Sequence, residues 1–142
     1  MQPRIAVGMQ LIEIPAGVLD VGIADDVNGK RLATFRNQAL QECMEELDLT
    51  LVADDLHDIG SAYSSPGASD EEIQYFFTRV SATKLQRTVG LGTNDEDISI
   101  VCVALNQLGT IRDGKLHTAV NLARLRGINL STQDASQSAA YP

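Results

Sequence analysis

The sequence predicts a single α/β (α+β) domain in which helices pack on a mixed β-sheet. Apolar residues recur at helical spacing over Lys30–Leu47, short β-rich runs precede and follow that stretch, and a second helical pattern lies near the end of the chain. At 142 residues the chain is long enough for one hydrophobic core and too short for two comfortable ones. We therefore assign residues 1–130 to one domain and the small, polar residues 131–142 to a C-terminal tail.

The charge balance limits the partners that the chain can bind. Acidic residues outnumber basic ones by 19 to 11, and the net charge of -8 repels nucleic acid and anionic membrane surfaces. A phosphorylated substrate stays possible, because bound divalent cations reverse the local sign of the field. No apolar run approaches the roughly 20 residues of a membrane span, and the N-terminus does not resemble a signal peptide. We expect a cytoplasmic protein with no nucleic-acid or membrane partner.

The first half of the chain contains a strand, a tight turn and a long helix. Residues 10–14 alternate polar and apolar side chains and predict a strand that ends at Pro15. Pro15-Ala16-Gly17, the PAG turn, follows, and 18–29 is irregular. The spacing over Lys30–Leu47 predicts an amphipathic helix.

The second half is expected to contain four strands before a terminal helix. The strands are predicted at 49–52, 56–63, 73–80 and 98–105, and the last of these is apolar enough to be buried on both faces. A short helical turn is expected over 106–111, then a break at Asp113-Gly114 and a helix over 117–125 with Gly127 at its C-terminus. Cys43 and Cys102 are flanked by apolar residues and are expected to be buried structural thiols.

Glu42, Glu45 and Glu46 carry the clearest chemical signal in the sequence. In a helix they stand at positions i, i+3 and i+4, which crowds three carboxylates onto one face. Oxygen ligands that converge from one face suit Mg²⁺ or Mn²⁺. The same pattern is typical of a solvated acidic face, so the helix alone leaves both interpretations open.

Five stretches of the chain follow one another in the order of a known family pattern. They are Gln2-Pro3-Arg4, residues 13–20, 41–49 and 65–71, and Asn94-Asp95-Glu96-Asp97-Ile98. In that order they are similar to a strand motif, an E-L-P-A-G-x-x-D opening, the second half of the Nudix box, an S-P-G-x-S-x-E loop and an acidic loop before the last strand. Together they resemble the Nudix hydrolases, and within them the branch that cleaves ADP-ribose and other nucleoside diphosphate sugars.

The resemblance implies a fold, a reaction and a cofactor. The fold is a Nudix-type α/β/α sandwich, and the reaction is hydrolysis of the diphosphate in ADP-ribose, ADP-glucose or a UDP-sugar to a nucleoside monophosphate and a sugar phosphate. The cofactor is Mg²⁺ or Mn²⁺, and the assembly is a homodimer. The catalytic and substrate-binding residues that it implies are Glu96 as base with Glu46, Asp95 as the alternative base, and Arg4. The metal ligands that it implies are Ala16 through its carbonyl, Glu42, Glu45, Glu46 and Glu71.

The chain also departs from the family pattern. The first glutamate of the box is Ile23, its arginine is Gln41, and its glycine is Asp48. Gln41 can donate a hydrogen bond but cannot form an ion pair. The N-terminal region that builds the dimer in that branch is expected to be missing. An alternative function is therefore a catalytically weak Nudix-fold protein that binds nucleotides or a partner, whereas a plain acidic interaction domain leaves the three glutamates unexplained.

Overall fold

The computed structural model describes residues 2–4, 9–19, 30–81, 83 and 99–131. Strands and helices both occur in this part of the chain, which confirms the mixed α and β class. The elements are β1 (Gln2–Arg4), β2 (Met9–Leu11), α1 (Lys30–Leu47), β3 (His57–Tyr63), β4 (Glu72–Phe77) and α2 (Gly114–Leu125), with 3-10 turns at Ala53–Asp55 and Leu105–Thr110. The Nudix-type sandwich with a mixed sheet stays a prediction.

The described strands form two antiparallel pairs. β1 pairs with β2, with Arg4 opposite Met9, and β3 pairs with β4 in a hairpin. A bulge interrupts the register of the hairpin between Asp58 and Gly60. Gly60 has a φ of 117°, a backbone conformation that side chains with a Cβ rarely adopt, so glycine suits this bulge.

The hydrophobic core of the described residues lies between the β3–β4 hairpin and α2. Ile59 of β3, Tyr75 of β4 and Ala123 of α2 are its buried members. Half-buried apolar side chains from the hairpin, from α2 and the residues that follow it, and from the segment after β2 pack around them, namely Ile14, Ala62, Ile73, Phe77, Ala119, Leu122, Ile128 and Leu130. The segment after β2 is thus attached to the core through Ile14.

Helix α1 has the bounds that the sequence predicts, but it contains no buried residue. It is joined to β4 by an ion pair between Arg31 and Glu72, and the Arg36 guanidinium lies 6.0 Å from the centroid of the Phe76 ring. The helix ends at Leu47, and the next residue, Asp48, has a left-handed φ of 51°. This is the position of the box glycine, and aspartate is one of the few other residues that tolerate the conformation.

Helix α2 begins at Gly114, three residues before the predicted start, because Asp113 is its N-cap and not a break. The Asp113 carboxylate accepts hydrogen bonds from the backbone N–H of Lys115 at 2.9 Å and of Leu116 at 3.3 Å. The helix ends at Leu125, as predicted, and is followed by Gly127, whose φ is 73°. The backbone N–H of Ile128 donates to the Ala123 carbonyl at 3.0 Å.

Two predicted strands are wrong. Residues 49–52 and the described part of 98–105 before the 3-10 turn have no regular structure. Leu49 and Ile100 are buried, but Val101 and Cys102 are exposed, so Cys102 is not the buried thiol that the sequence suggested. An apolar segment has side chains to bury, but it forms a strand only if another strand is available to pair with it. The local sequence pattern does not show whether such a partner exists.

β2 ends at Leu11, so residues 12–14 of the strand predicted over 10–14 have no regular structure. The other elements agree closely with the sequence. β3 starts one residue after the predicted strand and ends with it at Tyr63, while β4 covers most of the run predicted at 73–80. The helical turn predicted over 106–111 is the 3-10 turn Leu105–Thr110. Cys43 is half-buried.

Candidate active site

The C-terminal half of α1 lies against the PAG turn. A Cβ atom built on Gly17 would stand 2.7 Å from Cγ of Glu42, and closer still to its carboxyl group. Only a residue without a side chain allows this approach. The structure therefore brings Glu42 together with the turn that carries the Ala16 carbonyl, as the resemblance implies.

Glutamine amides hold two of the three helix glutamates. Gln38 Nε2 donates to Glu42 Oε1 at 2.7 Å, and Gln41 Nε2 donates to Glu45 Oε1 at 2.7 Å. Both bonds join residues one helical turn apart. Gln41, which replaces the box arginine, thus still contacts a neighbouring glutamate, but through a neutral donor.

Glu46 and Glu42 also act on the thiol between them. Cys43 is half-buried, and its pKa is raised, first by burial and then by the negative charges of Glu46 and Glu42. The raised pKa keeps the thiol protonated. Both carboxylates contribute to it because they lie on the same part of the helix as Cys43.

Glu71 lies in the loop before β4 and is exposed. Its carboxylate accepts a hydrogen bond from the Ser64 hydroxyl, and its backbone N–H donates to Ser69 Oγ at 3.1 Å. The neighbouring acid, Glu72, is the one that contacts α1, through its ion pair with Arg31. Glu72 also accepts a hydrogen bond from Ser61 Oγ at 2.8 Å.

Of the other predicted site residues, some lie in the described part of the chain and some lie outside it. Arg4 lies in β1, whereas Glu96, Asp95 and Ile23 fall outside the described residues. Ala16 and Glu45 are exposed, and Glu46 is half-buried.

The described donors have the chemistry of a hard-cation site, but they do not form a complete one. Among the residues that the structure describes, no three His, Cys, Asp or Glu side chains lie close enough to hold a metal ion. The pair that is in contact, Glu42 and the PAG turn, offers carboxylate and carbonyl oxygens, which suit Mg²⁺ and Mn²⁺. Metal binding by the full predicted set stays a prediction.

Two charged residues at the start of α2 contact the segment before the PAG turn, and the sequence interpretation missed both. Asp113 Oδ2 accepts a hydrogen bond from the Ile14 backbone N–H at 3.4 Å, and Lys115 Nζ donates to Glu13 Oε2 at 2.9 Å. An N-cap aspartate before a helical pattern was a local signal that could have identified Asp113. Nothing local could have indicated which acid Lys115 meets.

Two relatives with curated names are both named GDP-mannose pyrophosphatase, that is, enzymes that act on the diphosphate of a nucleoside diphosphate sugar. A GDP-mannose pyrophosphatase of Citrobacter koseri is 31% identical over 118 residues, which are 79% of this chain and 54% of that protein. A GDP-mannose pyrophosphatase of Escherichia coli O1:K1 is 29% identical over 122 residues, 82% of this chain and 56% of that protein. These similarities confirm the resemblance to the nucleoside diphosphate sugar branch of the Nudix hydrolases.

The chain spans about half the length of the curated relatives it matches. No protein-family profile matches it, and no solved structure does. No helix in the described part of the chain is long and apolar enough to cross a membrane.

Proposed function

We propose that the chain is a divalent-metal-dependent pyrophosphohydrolase that cleaves a nucleoside diphosphate sugar to a nucleoside monophosphate and a sugar phosphate. The candidate substrates are ADP-ribose, ADP-glucose, UDP-sugars and, from the names of the curated relatives, GDP-mannose. The observation that carries the proposal is the contact of Glu42 with Gly17 of the PAG turn. That contact joins the stretch that resembles the family's E-L-P-A-G-x-x-D opening to the helix that resembles the second half of the Nudix box.

The proposed roles follow the chemistry of the donors. Glu42, Glu45, Glu46, Glu71 and the Ala16 carbonyl would hold Mg²⁺ or Mn²⁺. When bound, the cation neutralises the diphosphate oxygens and lowers the pKa of the attacking water.

The protein groups then supply position and proton transfer. Glu42 accepts a hydrogen bond from the Gln38 amide and lies against Gly17 of the PAG turn, which would orient its carboxylate toward the proposed site. Glu96, or Asp95 in its place, would accept the proton of the attacking water, and Arg4 would bind the anionic substrate. The proposed enzyme is a homodimer and acts in the cytoplasm.

A phosphatase-coupled assay tests this function. The intact chain is incubated with GDP-mannose, ADP-ribose, ADP-glucose, UDP-glucose or a dinucleoside polyphosphate, with Mg²⁺, Mn²⁺ or EDTA. The phosphatase releases phosphate from the products but not from the diphosphate sugars. We expect metal-dependent release for at least one sugar nucleotide, and its loss in EDTA.

Substitutions in α1 assign the reaction to the proposed site. Glu42→Gln and Glu46→Gln should each lower kcat/KM by more than about 100-fold, since loss of outer-shell partners alone costs about 10- to 100-fold. The matched control is Asp54→Asn, which alters an exposed carboxylate in a 3-10 turn and should leave the rate unchanged. No release by the native chain on any substrate would overturn the hydrolase proposal, and full activity in both glutamine variants would overturn the site.

The second candidate function is a nucleotide-binding protein with little or no turnover. It is favoured by the neutral Gln41–Glu45 hydrogen bond where the family has an arginine. Calorimetric binding of a sugar nucleotide without product release would identify this function. Measurable turnover would exclude it.

A further inference from the structure

The N-terminus of α2 is bound to the segment immediately before the PAG turn by two independent contacts. Asp113 accepts the N–H of Ile14, and Lys115 donates to Glu13. Each contact spans about a hundred residues of sequence, with separations of 99 and 102 positions. The Glu13 side chain is 11% exposed and that of Lys115 is 28% exposed, so the ion pair is partly shielded from water.

The contact made by Asp113 exceeds what a helix cap requires. The cap is complete with the bonds from Lys115 N and Leu116 N. Oδ2 nevertheless also accepts the Ile14 N–H, and the residue is only 6% exposed. The third bond gives the Ile14 amide a partner and so fixes the backbone of the segment that leads into the PAG turn.

The position of Lys115 in α2 also indicates that its main interaction is with a residue outside the helix. It is the second residue of the helix, where a cation opposes the positive end of the helix dipole. Its ammonium group instead lies 2.9 Å from Glu13 Oε2. The gain from the lysine therefore comes from Glu13 rather than from the helix.

The two contacts end three or four residues before Gly17, and Gly17 lies against Glu42. Ile14 itself packs on the core that contains Ala123 of α2. The turn is thus fixed on the core side by α2, and Glu42 of α1 rests on its other end.

We propose that Asp113 and Lys115 are positioning residues of the candidate metal site, which hold Glu13 and Ile14 so that the PAG turn presents the Ala16 carbonyl beside Glu42. This inference rests on the proposed function, because it assigns the two residues to the metal-dependent step. Neither residue is expected to touch the metal or the substrate. Their substitution should therefore weaken metal binding through the turn.

Calorimetric titration of the intact protein with Mn²⁺, without substrate, tests the proposal. Lys115→Met keeps the aliphatic stem and removes the charge, and it should raise the Mn²⁺ dissociation constant about tenfold, the lower end of the effect of losing an outer-shell partner. Lys115→Arg should restore wild-type binding, because arginine can still pair with Glu13. Asp113→Asn can cap the helix, but it replaces one carboxylate oxygen with a donor and should have a similar effect.

A further variant separates positioning from a general loss of stability. Arg126→Met removes a cation from just beyond the other end of α2, where Arg126 Nε donates to the Ile59 carbonyl, and should bind Mn²⁺ normally. Hydrogen exchange of the 12–19 peptide in metal-free protein should accelerate in the Lys115 and Asp113 variants only.

The outcomes are distinguishable. Wild-type Mn²⁺ affinity and kcat in Lys115→Met, in a protein that hydrolyses its substrate, would overturn the positioning role and leave the proposed function intact. Equal weakening in Arg126→Met would overturn it as well, since the effect would then be one of stability. A native chain that neither binds Mn²⁺ nor hydrolyses any substrate would overturn the proposed function, and this inference with it.

Discussion

The β3–β4 hairpin with α2 and the region around α1 are held together by different forces. The hairpin and α2 share the buried side chains Ile59, Tyr75 and Ala123, whereas α1 contains no buried residue. Contacts of α1 with the rest of the described chain include the Arg31–Glu72 ion pair and the approach of Glu42 to Gly17. Burial therefore provides the rigidity on one side, and polar contacts arrange the candidate site on the other.

This difference predicts that substitutions on the two sides have different consequences. A change in the hairpin core should lower the free energy of unfolding, because buried apolar area is lost. A change where α1 meets the PAG turn should alter metal binding and turnover with little effect on folding.

The largest effect is expected for Ile59→Ala in the hairpin. Ile59 is 2% exposed, and truncation of a buried isoleucine costs about 2–5 kcal/mol of unfolding free energy through lost burial and the cavity left behind. Urea unfolding, monitored by circular dichroism, measures this loss of unfolding free energy. Val52→Ala is the control, since Val52 is 62% exposed and should change stability by less than about 0.5 kcal/mol. Similar losses in both variants would contradict the location of the core.

A smaller effect, on activity rather than stability, is expected for Gly17→Ala. The new Cβ would meet the side chain of Glu42, which is flexible and can rotate away, so the fold should tolerate the change. Glu42 would then leave its place beside the PAG turn. Metal-dependent turnover should fall by about tenfold or more, as when the groups that orient a ligand are removed.

Gly109→Ala is the matched control for Gly17→Ala. A Cβ built on Gly109 meets no atom within 4 Å, so this variant should keep full activity and stability. Steady-state kinetics and thermal unfolding of both variants make the comparison. A Gly17→Ala protein with unchanged kinetics would show that the approach of Glu42 to the turn has no part in the reaction.

The sequence predicts α1 to the residue but fails at 49–52 and at the described part of 98–105. An amphipathic helix records its burial pattern within its own residues, so eighteen positions suffice to define it. A strand is defined by the edge it pairs with, and a short apolar run lacks that information. Val101 and Cys102 are exposed although their neighbours in sequence are apolar.

The contacts of the candidate site were likewise only partly predictable from local sequence. The approach of Glu42 to the PAG turn was expected only because the two stretches together resemble a known motif. The Asp113–Ile14 and Lys115–Glu13 contacts have no such motif behind them, and the chain has 19 acids that Lys115 could meet in principle. The fold selects Glu13 by packing Ile14 beside α2, which is a tertiary result and not a local one.

The smallest effect is expected for the acid that joins α1 to β4. The hydrogen bond from Ser61, and then the charge of Arg31, hold the pKa of Glu72 below its usual value of 4.5, although burial opposes them. Because the folded pKa lies below the unfolded one, Glu72 stabilises the protein above pH 4.5, and this contribution is lost as the pH falls through the folded pKa.

Glu72→Gln should therefore be less stable than the native chain at neutral pH, and the difference should shrink in acid. A partly exposed pair of this kind contributes no more than about 1 kcal/mol, and salt should reduce it further. Urea unfolding at neutral and acidic pH, at low and high salt, measures the difference, with Asp54→Asn as the control. A difference that is the same at both pH values would mean that packing, and not the charge of Glu72, joins α1 to the hairpin, and the contrast between the two sides would then fail at this contact.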